Sequence, residues 1–189
     1  MILKPITILL KFLNKAIVGN PNVEESRDEI TELVETAHEE GALDTDEYRI
    51  LKNIMHFSEI LVSGVMTPRT VVFSCSCEKT VNELINVPEI KMYSRFPVWE
   101  GESIDDGIIG YVMSKDVLLA ALNGKGMLKM RDFVRDIHFI YENIELDTAL
   151  ERFLNRRQHV FMVIDEYGGI EGLITMEDVL ETILGVEIV

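Results

Sequence analysis

One nine-residue pattern occurs twice in this chain. Gly110-Tyr111-Val112-Met113-Ser114-Lys115-Asp116-Val117-Leu118 returns as Gly172-Leu173-Ile174-Thr175-Met176-Glu177-Asp178-Val179-Leu180. Each copy reads as a strand end running into a helix start, with an acid in the helix's first turn. A hydrophobic strand precedes each copy: Phe96-Pro97-Val98-Trp99 in the first, Val160-Phe161-Met162-Val163-Ile164 in the second. A duplicated strand–turn–strand–helix unit predicts two half-domains that share a core and leave related clefts between them. This points to a paired binding module rather than a single catalytic pocket.

The length of 189 residues suits one medium domain, or two small halves with an extension. A net charge of −15 would repel a phosphate backbone, so no nucleic-acid partner is expected. Any anion site must be local, built from one or two Arg residues and backbone N–H groups. Cys75 and Cys77 lie at i and i+2 of an expected strand and share a face. No Cys or His pair completes a zinc site around them. They read as small buried apolar residues of a reducing cytosol.

Residues 1–20 form the first expected segment. Over Ile2 to Val18, Lys4, Thr7, Lys11, Asn14 and Lys15 recur at helical spacing in an otherwise apolar stretch. That predicts an amphipathic helix with a basic stripe, too short and too charged for a good membrane span. It would lie at a membrane surface, end a spanning helix, or pack on a partner. Gly19-Asn20-Pro21-Asn22 breaks it. A helical extension follows over residues 21–61. Ile30, Leu33, Val34 and Ala37 mark one short helix that stops at Gly41. Asp44 with Glu47 opens another that carries Ile50, Leu51, Ile54, Met55 and Phe57.

The repeat occupies residues 62–125 and 126–189. The first half reads as strand Val71–Ser74, helix Thr80–Asn86, two strands and helix Ser114–Leu122, with Gly124-Lys125-Gly126 as the join. The second reads as strand His138–Ile140, helix Asp147–Asn155, two strands and a helix ending at Gly185. The expected fold class is α/β (α+β), two β-α-β-β-α halves preceded by helices.

This pattern resembles a tandem cystathionine-β-synthase (CBS) pair, or Bateman module. It is most similar to the cytosolic CBS pair of the CorC/CNNM family of magnesium and cobalt transport-associated membrane proteins. The matching strings are Val65-Met66-Thr67-Pro68-Arg69, Tyr93-Ser94-Arg95-Phe96-Pro97-Val98, Arg156-Arg157-Gln158-His159, Asp165-Glu166-Tyr167-Gly168-Gly169, and Gly172 to Leu184. The resemblance runs from about Glu24 to Val189. It implies a transmembrane domain upstream, often a small domain downstream, and hence a fragment of a longer membrane protein at the cytoplasmic face. It also implies homodimerisation through the helices and an adenine nucleotide, ATP or AMP, between the halves. Mg²⁺ would accompany ATP because its phosphates are anionic.

The site residues carried over are Ser76, Tyr93, Arg95, Thr175 and Asp178. Asp178, in a first helical turn, can accept from ribose hydroxyls. Thr175 offers a hydroxyl, and the helix start favours an anion. Arg95 supplies the positive charge that phosphate needs, and Tyr93 can line the cleft. Ser76 and the backbone around Cys75 would meet adenine. Met113 stands where Thr175 stands in the other copy. The second cleft is therefore expected to be weak or empty, leaving one nucleotide per chain. His138 and His159 are expected to face that second region as structural residues, not metal ligands. Neither a nucleophile elbow nor a P-loop is present, so an enzyme is not expected. The leading expectation is a regulatory module controlling a magnesium/cobalt transport membrane protein. The alternative is a ligand-free structural dimerisation module.

Overall fold

The computed structural model describes residues 23–186. The amphipathic helix expected over Ile2–Val18 and the break at Gly19–Asn22 lie outside the described residues. The chain divides into two compact units, Met1–His56 and Phe57–Val189.

In the first unit, α1 (Val23–Glu39) and α2 (Thr45–His56) form a hairpin. Helix α1 extends well before the first apolar position read from the periodicity, Ile30. The expected cap between them is present. The Asp44 carboxylate accepts from the Asp46 and Glu47 amides, each at 2.8 Å, while Asp44 N–H donates to Glu47 at 2.9 Å. These bonds satisfy donors that the first turn cannot pair internally. His38 stacks on Tyr48 with ring centroids 4.5 Å apart, and Arg27 donates to the Met55 carbonyl at 2.8 Å. No residue of α2 is buried. Phe57, expected at the end of this helix, instead leaves it through a 3₁₀ turn and joins the core of the second unit.

The second unit holds two sheets. One has the order β2 (Cys75–Ser76), β3 (Arg95–Trp99), β4 (Ile108–Met113). The other has the order β1 (Thr67–Pro68), β7 (Ile170–Thr175), β6 (Val160–Ile164), β5 (His138–Tyr141). The duplication is visible in the ladders. β2 runs parallel to β3 and β5 parallel to β6, while β3–β4 and β6–β7 are antiparallel. Both hairpins shift register at the equivalent place, Val98/Trp99 and Val163/Ile164.

Helices complete each half. α3 (Val81–Leu84), α4 (Glu89–Met92) and α5 (Ser114–Leu122) belong to the first, α6 (Leu146–Arg156) and α7 (Met176–Leu184) to the second. Thr80 caps α3 in a full capping box with Glu83. Arg157 and Gly185 end α6 and α7 in left-handed conformation, at φ 51° and 66°. The first-half core packs Val81, Phe96, Val98, Val112 and Val117. The second packs Leu146, Phe153, Phe161, Val163 and Ile174. Both cysteines are free and buried, as read from the sequence. Burial, together with the neighbouring Cys77, pushes the Cys75 thiol up to about 12.

The halves are interlaced. β1 lies in the lead-in of the first half, yet it pairs with β7 of the second. Arg135 lies in the lead-in of the second half, yet it bridges to Tyr111 of β4 in the first. A glycine marks each crossing. A Cβ on Gly172 would overlap the Thr67 carbonyl oxygen, and one on Gly110 would overlap that of Arg135. Side chains follow the exchange. Val62 is buried in the second-half core and Met130 in the first.

Two expectations are corrected here. The strand placed at Val71–Ser74 does not form, because the chain must cross from one sheet to the other over residues 69–74. Val71 N–H closes a turn on the Pro68 carbonyl, its side chain is exposed, and the ladder starts only at Cys75. The helix placed at Thr80–Asn86 is shorter than expected and spans only Val81–Leu84. α3 stops before Val87-Pro88, and the separate α4 follows the proline.

Candidate functional site

The interlaced halves leave a cavity of about 560 Å³ between them. One wall is apolar and comes from the first half. Phe73 stacks on Tyr93 with centroids 6.0 Å apart and planes 17° from parallel. Phe73 also meets the buried Phe96 edge-on at 5.2 Å. Val71 and Met92, both exposed, extend this surface. The Tyr93 backbone is fixed from behind, where the Ser114 hydroxyl donates to its carbonyl.

The other wall is the start of α7. Thr175 N–H and Oγ1–H both donate to Asp178 Oδ2, at 2.7 and 2.8 Å, and Asp178 N–H donates back to Thr175 Oγ1 at 3.1 Å. This reciprocal cap holds Asp178 at the cavity wall. It also directs the Thr175 hydroxyl proton to Asp178 in this structure, so Thr175 acts first as a positioner. Burial raises the Asp178 carboxyl above its ordinary value. The Thr175 bonds oppose the shift, and the charges of Glu181 and Glu177 add to it.

Arg95 opens β3 and reaches the same cavity. Its guanidinium pairs with none of the described residues. In a chain of net charge −15, a half-buried arginine with no carboxylate partner leaves its donors to an incoming anion.

Four of the five expected residues, Tyr93, Arg95, Thr175 and Asp178, thus share one cavity. Ser76 is placed apart from it. Ser76 pairs with Trp99 in the sheet and accepts from Glu78 N–H at 3.3 Å. With the strand displaced to Cys75–Ser76, residues 71–73 supply that wall instead. Phe73 falls within the strand expected at Val71–Ser74 and carries no signal in the sequence that sets it apart as a cavity residue.

His159, expected to face the second cleft, lines this cavity instead. His138 lies against Phe161 and Arg156. Among the described residues no group of three or more His, Cys, Asp or Glu side chains is set to hold a metal ion. In the first copy, Met113 faces Arg95 across the β3–β4 ladder. Asp116, the counterpart of Asp178, is held by Arg135 at 2.8 Å. The duplicated acid therefore already has a cation as partner.

A profile of the CBS domain matches residues 128–185. The chain is 29% identical to the UPF0053 protein YhdP of Bacillus subtilis, over 94% of this chain and 40% of that protein. It is 31% identical to the magnesium and cobalt efflux protein CorC of Escherichia coli K12, over 92% of this chain and 58% of that protein. It thus spans only about half the length of such relatives.

Among solved structures, the CBS domain of the bacterial CNNM/CorC family Mg²⁺ transporter superposes with a TM-score of 0.73 at 31% identity. That match covers 84% of this chain and 95% of the other. The same domain in complex with ATP gives 0.68 at 31%, covering 74% and 98%. A CBS-domain pair with bound AMP from Klebsiella pneumoniae gives 0.58 at 26%, covering 67% and 99%. The duplicated fold and a match that takes in nearly all of a CNNM/CorC CBS structure lead to one conclusion: this chain belongs to the CNNM/CorC family and carries its CBS-domain module.

Proposed function

We propose that the module binds an adenine nucleotide, ATP or AMP, in the 560 Å³ cavity and thereby controls a magnesium/cobalt transport membrane protein of which it is a part. One observation carries this reading. An unpaired Arg95 and a half-buried Asp178 line the same cavity as the Phe73–Tyr93 stack. A flat aromatic base, a diol and a phosphate are the three chemistries those surfaces receive. The ATP-bound and AMP-bound relatives support it.

Glu177, Asp178 and Glu181 also line the cavity and would repel a bare triphosphate. A Mg²⁺ ion arriving with the phosphates offsets that repulsion. The module is read as a binding device, not an enzyme, at the cytoplasmic face of the membrane. No helix of the described residues is long and apolar enough to cross a membrane. Nucleotide biases the membrane domain only by differing in affinity for its two states.

A homodimer belongs to the same proposal. Leu119 and Leu122 of α5 and Leu180 of α7 are exposed, which suits helix-to-helix contact between two copies. The same observation favours the second reading, a ligand-free dimerisation module.

A thermal melt separates the two. A ligand that binds only the native state, at about 100 times its Kd, adds roughly 2.7 kcal/mol, or on the order of 5–10 °C for a domain of this size. A melt unmoved by millimolar AMP, ADP and ATP would leave only the dimerisation module. Arg95→Ala refines the test by calorimetry. A charge-assisted contact of about 1.5–3 kcal/mol predicts a roughly tenfold or greater loss for ATP, with adenosine little changed. Equal losses would assign Arg95 to the shape of the cavity and not to phosphate.

A further inference from the structure

A second cavity, of about 400 Å³, lies on the first half beside the one already described. The two share the segment Met92-Tyr93-Ser94-Arg95. Their electrostatics are opposite. The larger cavity has Glu177, Asp178 and Glu181 in its lining. The smaller one has no acidic residue in its lining and three cations, Lys91, Arg95 and Lys115.

The three cations come from three different elements. Lys91 sits on α4, Arg95 opens β3, and Lys115 is in the first turn of α5. Neither lysine has an ion pair with any of the described residues. Several cations elsewhere are paired. Lys79 meets Glu83, Lys129 meets Glu78, Arg131 meets Glu78 and Glu100, and Arg135 meets Asp116. In a chain with 33 acidic and 18 basic residues, three unpaired cations around one concavity, with no acid among them, mark a place that selects an anion.

We infer that this basic cavity is a polyphosphate subsite: Lys91, Lys115 and Arg95 take the phosphoryl groups beyond the first of a nucleotide held in the neighbouring cavity. The inference rests on the nucleotide reading above and adds to it a reason for preferring ATP. Arg95 belongs to both cavities and hands the chain of phosphates from one to the other. AMP, with one phosphate, engages Arg95 alone. ADP and ATP reach the two lysines.

The test is a calorimetric titration of AMP, ADP, ATP and inorganic tripolyphosphate against wild type and the double variant K91Q/K115Q. Both lysines are exposed and unpaired, so the variant keeps its fold; an unchanged melting temperature without ligand checks this. ATP affinity is expected to fall about tenfold or more, given roughly 1.5–3 kcal/mol for a hydrogen bond to a charged group, with AMP changing less than about twofold. Tripolyphosphate is expected to bind wild type, to compete with ATP and to be lost from the variant.

Unchanged ATP affinity, or equal losses of AMP and ATP, overturns the subsite while leaving the nucleotide reading intact. Tripolyphosphate binding undiminished in AMP-saturated protein and lost in the variant would make this a separate inorganic-anion site, and so overturn its role as a tail subsite. If no nucleotide binds at all, the nucleotide reading fails on the AMP arm, and the lysine pocket is judged as an anion site by tripolyphosphate alone.

Discussion

Asp178→Ala is expected to remove ATP and AMP binding alike, by on the order of a hundredfold or more. Two hydrogen bonds from ribose hydroxyls to a carboxylate contribute about 1.5–3 kcal/mol each, and each 1.4 kcal/mol is a factor of ten. The alanine also strips Thr175 of the acceptor for its N–H and hydroxyl, each now within 2.8 Å. Asp178→Asn keeps one acceptor oxygen and so separates loss of charge from loss of the cap. Asp116→Ala serves as the control, because that carboxylate already faces Arg135; its nucleotide affinity should stay within about twofold. Calorimetry on the three variants checks this, and equal losses at Asp178 and Asp116 would mean that both clefts are occupied.

Acidity gives a second view of the same residue. Burial holds the Asp178 carboxyl above the ordinary 3.8, so it takes up its proton earlier than a free aspartate as pH falls. Nucleotide affinity should therefore weaken on acidification from a pH above that ordinary value. The contribution to folding has the opposite sign. A carboxyl raised in the folded state binds more protons there than when unfolded. Its contribution to stability is full below the ordinary value and is lost as pH rises through the raised one.

Phe153→Ala is expected to cost about 3–5 kcal/mol of folding stability. Phe153 is fully buried on α6, and its ring lies 4.3 Å from that of Phe161 on β6. Truncation leaves a void against a strand whose neighbours cannot close in without shifting the sheet. Domains of this size are stable by only about 5–15 kcal/mol. The melting temperature should drop by on the order of 10 °C, while Leu154→Ala, at an exposed position next along the helix, stays within about 0.5 kcal/mol. Similar losses in the two variants would place the core face of α6 wrongly.

The repeat could be read because its strands and helices are built from local pattern. Val160–Ile164 is a continuous apolar run, and α5 ends where the periodicity ends, at Leu122. The crossing segments could not. Thr67-Pro68 and Arg135 carry no strand signature of their own, and each pairs only because the other half presents an edge above a glycine. The displaced strand at Cys75 and the placement of Ser76 apart from the cavity follow from that one omission. Tyr93, Arg95, Thr175 and Asp178 all come from the family resemblance, and the local pattern adds only that Thr175 and Asp178 stand at a helix start. The lysines at 91 and 115 give no signal in sequence, since exposed lysine is common and only the fold sets them around one concavity with Arg95.

The exchanged lead-in segments bear on how such a module can transmit a signal. Each half holds the first stretch of the other, so they are joined like two hands with fingers crossed. A cut in the Gly124–Gly126 link would leave two pieces still clasped through β1 and β7 and through Tyr111 and Arg135. A clasp of this kind resists gaping. Opening the cleft wide would tear sheet hydrogen bonds at both crossings together. A ligand in this cleft is therefore expected to shift one half against the other by a slight turn, passed on stiffly, and not to work a jaw that opens and shuts.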